Sequence, residues 1–213
     1  MNFAKMCEEA NEIIQDASYT DKIGGYINEA FLQAAGQINL PDLKRLGTLN
    51  TIPDQMFASL RGISGGFNGR IAVIVGNLDI QVFEDLDAMI NEISFSVRDT
   101  AEVGPVEFLA LEGHTLWYFP SPATSQSIMA ILYGNPLVLS LDEDIPTAFP
   151  DTVHFNIGVH GACYFAFDQI EDGIEEAKVN TASHYALFQK GITDLMEWVG
   201  KNKKHNITSI MNV

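Results

Sequence analysis

Phe149-Pro150-Asp151-Thr152-Val153-His154-Phe155-Asn156-Ile157 opens a stretch that stays almost wholly apolar through Phe167. Residues 151–168 carry Val153, Phe155, Ile157, Val159, Ala162, Cys163, Phe165 and Ala166. Apolar residues on nearly all sides predict a central, buried helix. Glu171-Asp172-Gly173-Ile174-Glu175 follows, with Asp172 placed to cap the last helix and Glu175 at its third position, as in a capping box. Tyr185, Phe188, Ile192, Leu195 and Val199 then recur at helical spacing. Gly200 and Asn202 are residue types that end helices. Two packed helices and a charged tail fit a structural assembly, and nothing in the stretch resembles an active site.

The other end of the chain repeats the helical pattern. Phe3, Met6, Ala10, Ile13 and Ala17 mark a first helix over about residues 2–17. Thr20 suits the N-cap of a second, with Asp21 where the positive helix end favours an acid. Its stripe is Ile23, Ile27, Ala30, Phe31, Ala34 and Ile38, and Leu40-Pro41 ends it. The short link makes the pair antiparallel. Phe155, Val159, Ala162 and Ala166 are expected to be buried together with Ile27, Phe31, Tyr185 and Phe188.

Between these ends the character changes. Pro53, Gly62, Gly65, Gly66 and Gly69 are turn signals. Ile71–Val75 and Ile80–Phe83 read as strands and Glu84–Ile93 as a short helix. Val106–Leu111 and Thr115–Phe119 flank a hairpin turn at Glu112-Gly113-His114, and Gln126–Tyr133 reads as a further strand. The expected fold class is α+β: a helical bundle from both chain ends, residues 1–48 and 149–200, with an inserted antiparallel β region over 49–148. Residues 201–213 are expected to form an extended C-terminal tail.

Composition narrows the function. The chain has 213 residues, 46% of them apolar, enough for a real core. Its net charge of −16 argues against gripping the outside of a DNA duplex. The tail is the exception, with Lys201, Lys203 and Lys204 and no acid, which suggests a partner of its own. Cys7 and Cys163 stand apart and read as buried free thiols, consistent with a reducing cytosol. Glu8, Glu9 and Glu12 interrupt any signal-peptide pattern.

Candidate chemistry is sparse. Gly62-Ile63-Ser64-Gly65-Gly66-Phe67-Asn68-Gly69 lacks the Lys and hydroxyl of a phosphate loop and reads as a hairpin tip. His114, His154, His160, His184 and His205 show no zinc or di-iron spacing. Asp142-Glu143-Asp144 lacks the rest of a calcium loop. No serine lies in a nucleophile elbow. Trp117 and Trp198 read as packing residues. The expectation is a protein with no catalytic centre, metal or cofactor.

The layout resembles the head-to-tail adaptor proteins of tailed bacteriophages, also called tail connectors or head completion proteins. The resemblance rests on Gln15-Asp16-Ala17, Thr20-Asp21, Tyr26-Ile27-Asn28-Glu29-Ala30 and the β segment from Leu109 to Pro122. It rests also on Ile131-Leu132-Tyr133 with Pro136, and on Glu171-Asp172, Asn180, His184, Phe188 and Gly191. Residues 50–100 match least.

The resemblance implies a virion component at the head–tail junction, made in the bacterial host cytoplasm. It implies a homo-oligomeric ring, usually a dodecamer, between the portal protein and the tail nozzle or tail tube. Genomic DNA would pass through the lumen without sequence-specific binding, and no membrane is involved. The C-terminal segment would be the portal-binding element: Lys201, Lys203, Lys204, His205, Ile207, Ile210, Met211 and Val213. Two other readings remain open at this level. One is a metal-dependent hydrolase using His154, His160 and nearby acids, and the other is a tail receptor-binding module.

Overall fold

The computed structural model describes residues 1–60, 71–75, 80–95, 102–172 and 178–210. The chain divides into two units, one made of Met1–Asp42 with Pro136–Val213, the other of Leu43–Asn135. The sequence placed these joins at 48/49 and 148/149.

The first unit is helical. Helix α1 spans Phe3–Ile14, with the Asn2 side chain accepting from the Lys5 amide as its N-cap. Gln15 ends it in the left-handed region at φ 53°. Helix α2 spans Thr20–Gln37. Thr20 is therefore inside the helix and is not its cap: the Asp16 carboxylate takes the Ser18 amide and hydroxyl, and the Thr20 hydroxyl donates to Asn11.

The apolar stretch after Pro150 is not one regular helix. Residues Phe155–Val159 form a π-helical turn, and only then does α4 run over His160–Ile170. A π turn holds an extra residue, which rotates everything before it relative to the helix after it. Val159, Ala162 and Ala166 are buried as expected, while Phe155 is only half-buried. Helix α4 packs against both α2 and α5, which spans Val179–Ile210. Glycine makes the close approaches possible. A Cβ at Gly161 would lie 2.5 Å from Ala30 Cβ, and one at Gly158 would lie 2.7 Å from Met6 Sδ. Tyr185, expected in this core, is exposed.

The second unit holds two sheets and a helix. Strands β1 (Lys44–Asn50), β7 (Ser127–Tyr133) and β3 (Ile71–Val75) form one sheet in the order β1-β7-β3. Strands β2 (Phe57–Ser59), β6 (Thr115–Phe119), β5 (Phe108–Glu112) and β4 (Gln81–Phe83) form the other in that order. Leu49, Ile128, Ala130 and Leu132 of the first sheet meet Ala58, Leu109, Leu116 and Tyr118 of the second in one core. On the far side of the second sheet, Met89 and Ile93 of helix α3 (Leu86–Phe95) cover Phe108, Ala110 and Phe119. Gly113 turns β5 into β6 at φ +58°, a conformation that favours glycine.

The expected fold class is corrected by this arrangement. The chain is α+β with five α-helices and two sheets among the described residues, and the picture of a helical bundle with one inserted antiparallel β region does not describe it. Strands β4 and β5 run parallel, with α3 between them in the chain. A parallel pair cannot be joined by a hairpin and needs a crossover, here a helical one.

One buried polar group pins the second unit. The Tyr118 hydroxyl accepts from the Ile52 amide at 2.8 Å and donates to the Phe57 carbonyl at 3.0 Å. Tyr118→Phe would leave both backbone groups unpaired beside a fully buried ring. The expected cost is about 1–3 kcal/mol, read from denaturant unfolding. A loss under about 0.5 kcal/mol would mean that the hydroxyl carries none of the loop's hydrogen bonding.

Candidate functional site

The candidate site read from sequence is the lysine-rich end, and the structure gives it a helical backbone. Helix α5 passes through Gly200 and Asn202 and continues to Ile210, so residues 201–210 are not an extended tail. An unbroken run of intrahelical hydrogen bonds outweighs two residues of low helix propensity. Lys201 is exposed, and its Nζ lies 3.4 Å from Glu197 one turn earlier. Lys203, Lys204, His205, Ile207 and Ile210 lie on the helical backbone, with side chains outside the described set. Met211 and Val213 lie outside the described residues, as do the glycine-rich run 62–69 and Gly173 with Glu175.

The start of α5 is held by a residue that a local reading misses. Glu171, at the end of α4, reaches across nine and ten positions. One carboxylate oxygen accepts from the Asn180 amide at 3.2 Å and from Asn180 Nδ2 at 2.9 Å. The other accepts from the Thr181 amide at 3.0 Å and its hydroxyl at 2.6 Å. The Thr181 hydroxyl and amide, with the Asn180 donors, hold the Glu171 carboxyl below the usual carboxylate range. Asp172, the expected cap, lies 3.7 Å from Lys178 Nζ instead. A cap is usually sought immediately before its helix, so this signal was not available from local spacing.

The histidines do not gather into one centre. His154 is fully buried; its Nε2 donates to the Phe149 carbonyl at 3.0 Å, leaving Nδ1 to accept from the Met1 amine at 3.0 Å. His160 meets His184 of α5, with their Nδ1 atoms 3.0 Å apart. Phe155 stands edge-on to His160, and Phe167 stacks on His184 at 5.3 Å. His154 and His160 thus take separate partners. Among the described residues no group of three or more His, Cys, Asp or Glu is placed to hold a metal. Cys7 and Cys163 are free thiols, and burial pushes Cys163 up to about 12, far from a thiolate at neutral pH. No helix of the described residues is long and apolar enough to cross a membrane.

Burial lowers the pKa of His154, His160 and His184 alike, with the His184 charge adding to the effect at His160 and Glu171 opposing it at His184. A lowered histidine pKa means that the unfolded chain binds more protons, so stability falls as pH drops below the ordinary value of about 6.5. The Glu171 contribution is lost only further down, as pH falls through its lowered carboxylate value. The melting temperature should therefore fall between pH 7.5 and 5.5, and His184→Phe should flatten part of that fall. An unchanged melting temperature across this range would contradict the assignment.

The described residues thus offer exposed helical surfaces and buried polar groups that are hydrogen-bonded, apart from the Trp117 indole nitrogen. Comparison with curated proteins gives no match. A family model described as SU10 adaptor protein matches residues 1–209, through both units and along the last helix. The chain belongs to the SU10 adaptor protein family, a family of phage head-to-tail adaptors.

Proposed function

We propose that this chain forms a ring, dodecameric by the resemblance to connector proteins, that joins the portal of the filled capsid to the tail nozzle or tail tube. Membership in the adaptor family makes it a structural component of the phage virion, and that match over residues 1–209 is the observation that carries the reading. The net charge of −16 supports a DNA channel for a physical reason: an acidic wall repels phosphates, so a duplex slides without sticking. The Lys201–Val213 segment is the portal contact in this proposal. Lys201, Lys203 and Lys204 would steer docking onto acidic groups, and Ile207, Ile210 and Met211 would fill apolar pockets. Many weak copies acting together need no tight single contact. No catalytic step and no cofactor belongs to this role.

The test mixes the purified protein with portal and images the complex. The expected result is a ring coaxial with the portal, lost when residues 203–213 are deleted from a chain that still folds. A protein that stays monomeric in the presence of portal would overturn the ring. A truncated protein that docks with normal affinity would overturn the tail assignment alone.

A further inference from the structure

Helix α5 meets α4 in two different ways along its length. From Phe188 onward the contact is apolar, with Phe188, Ile192, Leu195 and Val199 buried. Before Phe188 it is polar and aromatic. Ala182, Ser183, Tyr185, Ala186 and Leu187 are exposed. The holds on α4 there are Thr181 on Glu171, Tyr185 against Tyr164, and His184. His184 reaches His160 of α4, Nδ1 to Nδ1, at 3.0 Å. The two ring centroids are 5.1 Å apart, near the largest separation that this nitrogen distance allows, so the nitrogens point almost end-on at each other.

Such a contact holds one proton. A neutral imidazole carries one N–H and one lone pair, and an imidazolium carries two N–H groups. At this distance one Nδ1 must donate and the other accept. The neutral pair therefore takes opposite tautomers, and a pair with one charged ring keeps the same bond. With both rings charged, two N–H groups and two positive charges meet, and the bond is gone. Phe155 of the π turn and Phe167 of α4 face the rings without charge. The charged groups acting on the pair are Glu171 on His184 and His184 on His160. Glu171 is already engaged in four hydrogen bonds to Asn180 and Thr181, and Lys178 is tied to Asp168 and Asp172. Both rings are half-buried, so solvent protons reach them.

We infer that His160 and His184 form a one-proton latch that holds residues 182–187 of α5 on α4 and opens when both rings are charged. The latch goes beyond the adaptor role and does not depend on the ring or the portal contact. Repulsion sets the second protonation below the first, so the pair titrates in two steps about one pH unit or more apart. The latch is closed above the ordinary histidine value of about 6.5 and opens below the second step. The Glu171 clasp survives that opening, since its carboxyl lets go only as pH falls through a value below the usual carboxylate range. Residues 182–187 then loosen between two intact holds, the clasp at Thr181 and the apolar contact from Phe188, which is a local opening and not unfolding.

The test is solution NMR and amide hydrogen exchange on the full chain. At pH 7.5, long-range proton–nitrogen correlations should show one of the two rings as the Nδ1–H tautomer and the other as the Nε2–H tautomer. Between pH 7.5 and 5.0 the amides of residues 182–187 should lose protection about tenfold or more, after correction for intrinsic rates, while those of residues 192–199 lose less. His160→Gln should keep the protection at pH 5.0, because its amide donates to a neutral His184 and accepts from a charged one. In that variant His184 should titrate in a single step. Two Nε2–H rings at pH 7.5, or protection over 182–187 unchanged at pH 5.0, would overturn the latch. A loss of protection that persists in His160→Gln would assign the opening to another group, and an equal loss along all of α5 would mark global unfolding; either overturns it as well.

Discussion

Phe188→Ala will lower the stability of the helical unit by about 3–5 kcal/mol, the range for emptying a buried phenylalanine site. Phe188 is 1% exposed and stands where α5 crosses α4. Its ring fills the space that Gly161 leaves open and stacks on Tyr164 at a centroid distance of 6.5 Å. Because Gly161 has no side chain and α4 is held on its other side by α2, the site cannot collapse, which places the cost in the upper part of the range. Trp198 lies on α5 in the helical unit and Trp117 on β6 in the sheet unit. With Trp117 replaced, Trp198 fluorescence reports the helical unit by itself during denaturant unfolding. A loss below about 1 kcal/mol would place Phe188 outside the core.

Gly161→Val will cost about 3 kcal/mol by the opposite route, overpacking. The added Cβ would fall 2.5 Å from Ala30 Cβ and 3.2 Å from the Phe188 ring, so α2 and α5 would both have to move away from α4. Neither neighbour at that point is the loose end of a long side chain. Ala30→Gly in the same chain should return part of the loss, since it removes one of the two atoms in conflict. The partial rescue separates a steric cause from a change in helix propensity, which a change at Ala30 would only worsen. Equal melting temperatures for wild type and Gly161→Val would show that the helices stand further apart than 2.5 Å implies.

What could be read from sequence was the local period, and what could not was partnership. Thr115–Phe119 stands as a strand between the positions where alternation and the following proline put it. Lys44–Asn50 was missed because its lysine, arginine and glycine hide the alternation of an edge strand, whose register comes from pairing with β7. The parallel β4–β5 pair was illegible, since a strand's own pattern does not carry its partner's direction. Tyr185 falls on the same helical stripe as Phe188, yet α4 covers one and leaves the other. The Glu171 clasp spans ten residues, beyond any capping window. At the candidate site the lysines were visible, but the helix was expected to stop at Gly200 and instead continues through it.

The chain enters the sheet unit on β1 and leaves it on β7, and these strands are paired neighbours, with Lys44 opposite Tyr133 and the Gly134 amide bonded to the Leu43 carbonyl. For the helical unit, everything from residue 43 to 135 is thus a cassette presented on two adjacent ends, about one strand-pair spacing apart. The entropy of bringing those ends together is met by the cassette's own ladder and not by the helices. A phage lineage can therefore exchange this module for another, larger or smaller, through recombination at the two ends. The helical unit then keeps its own packing whatever module the two ends carry.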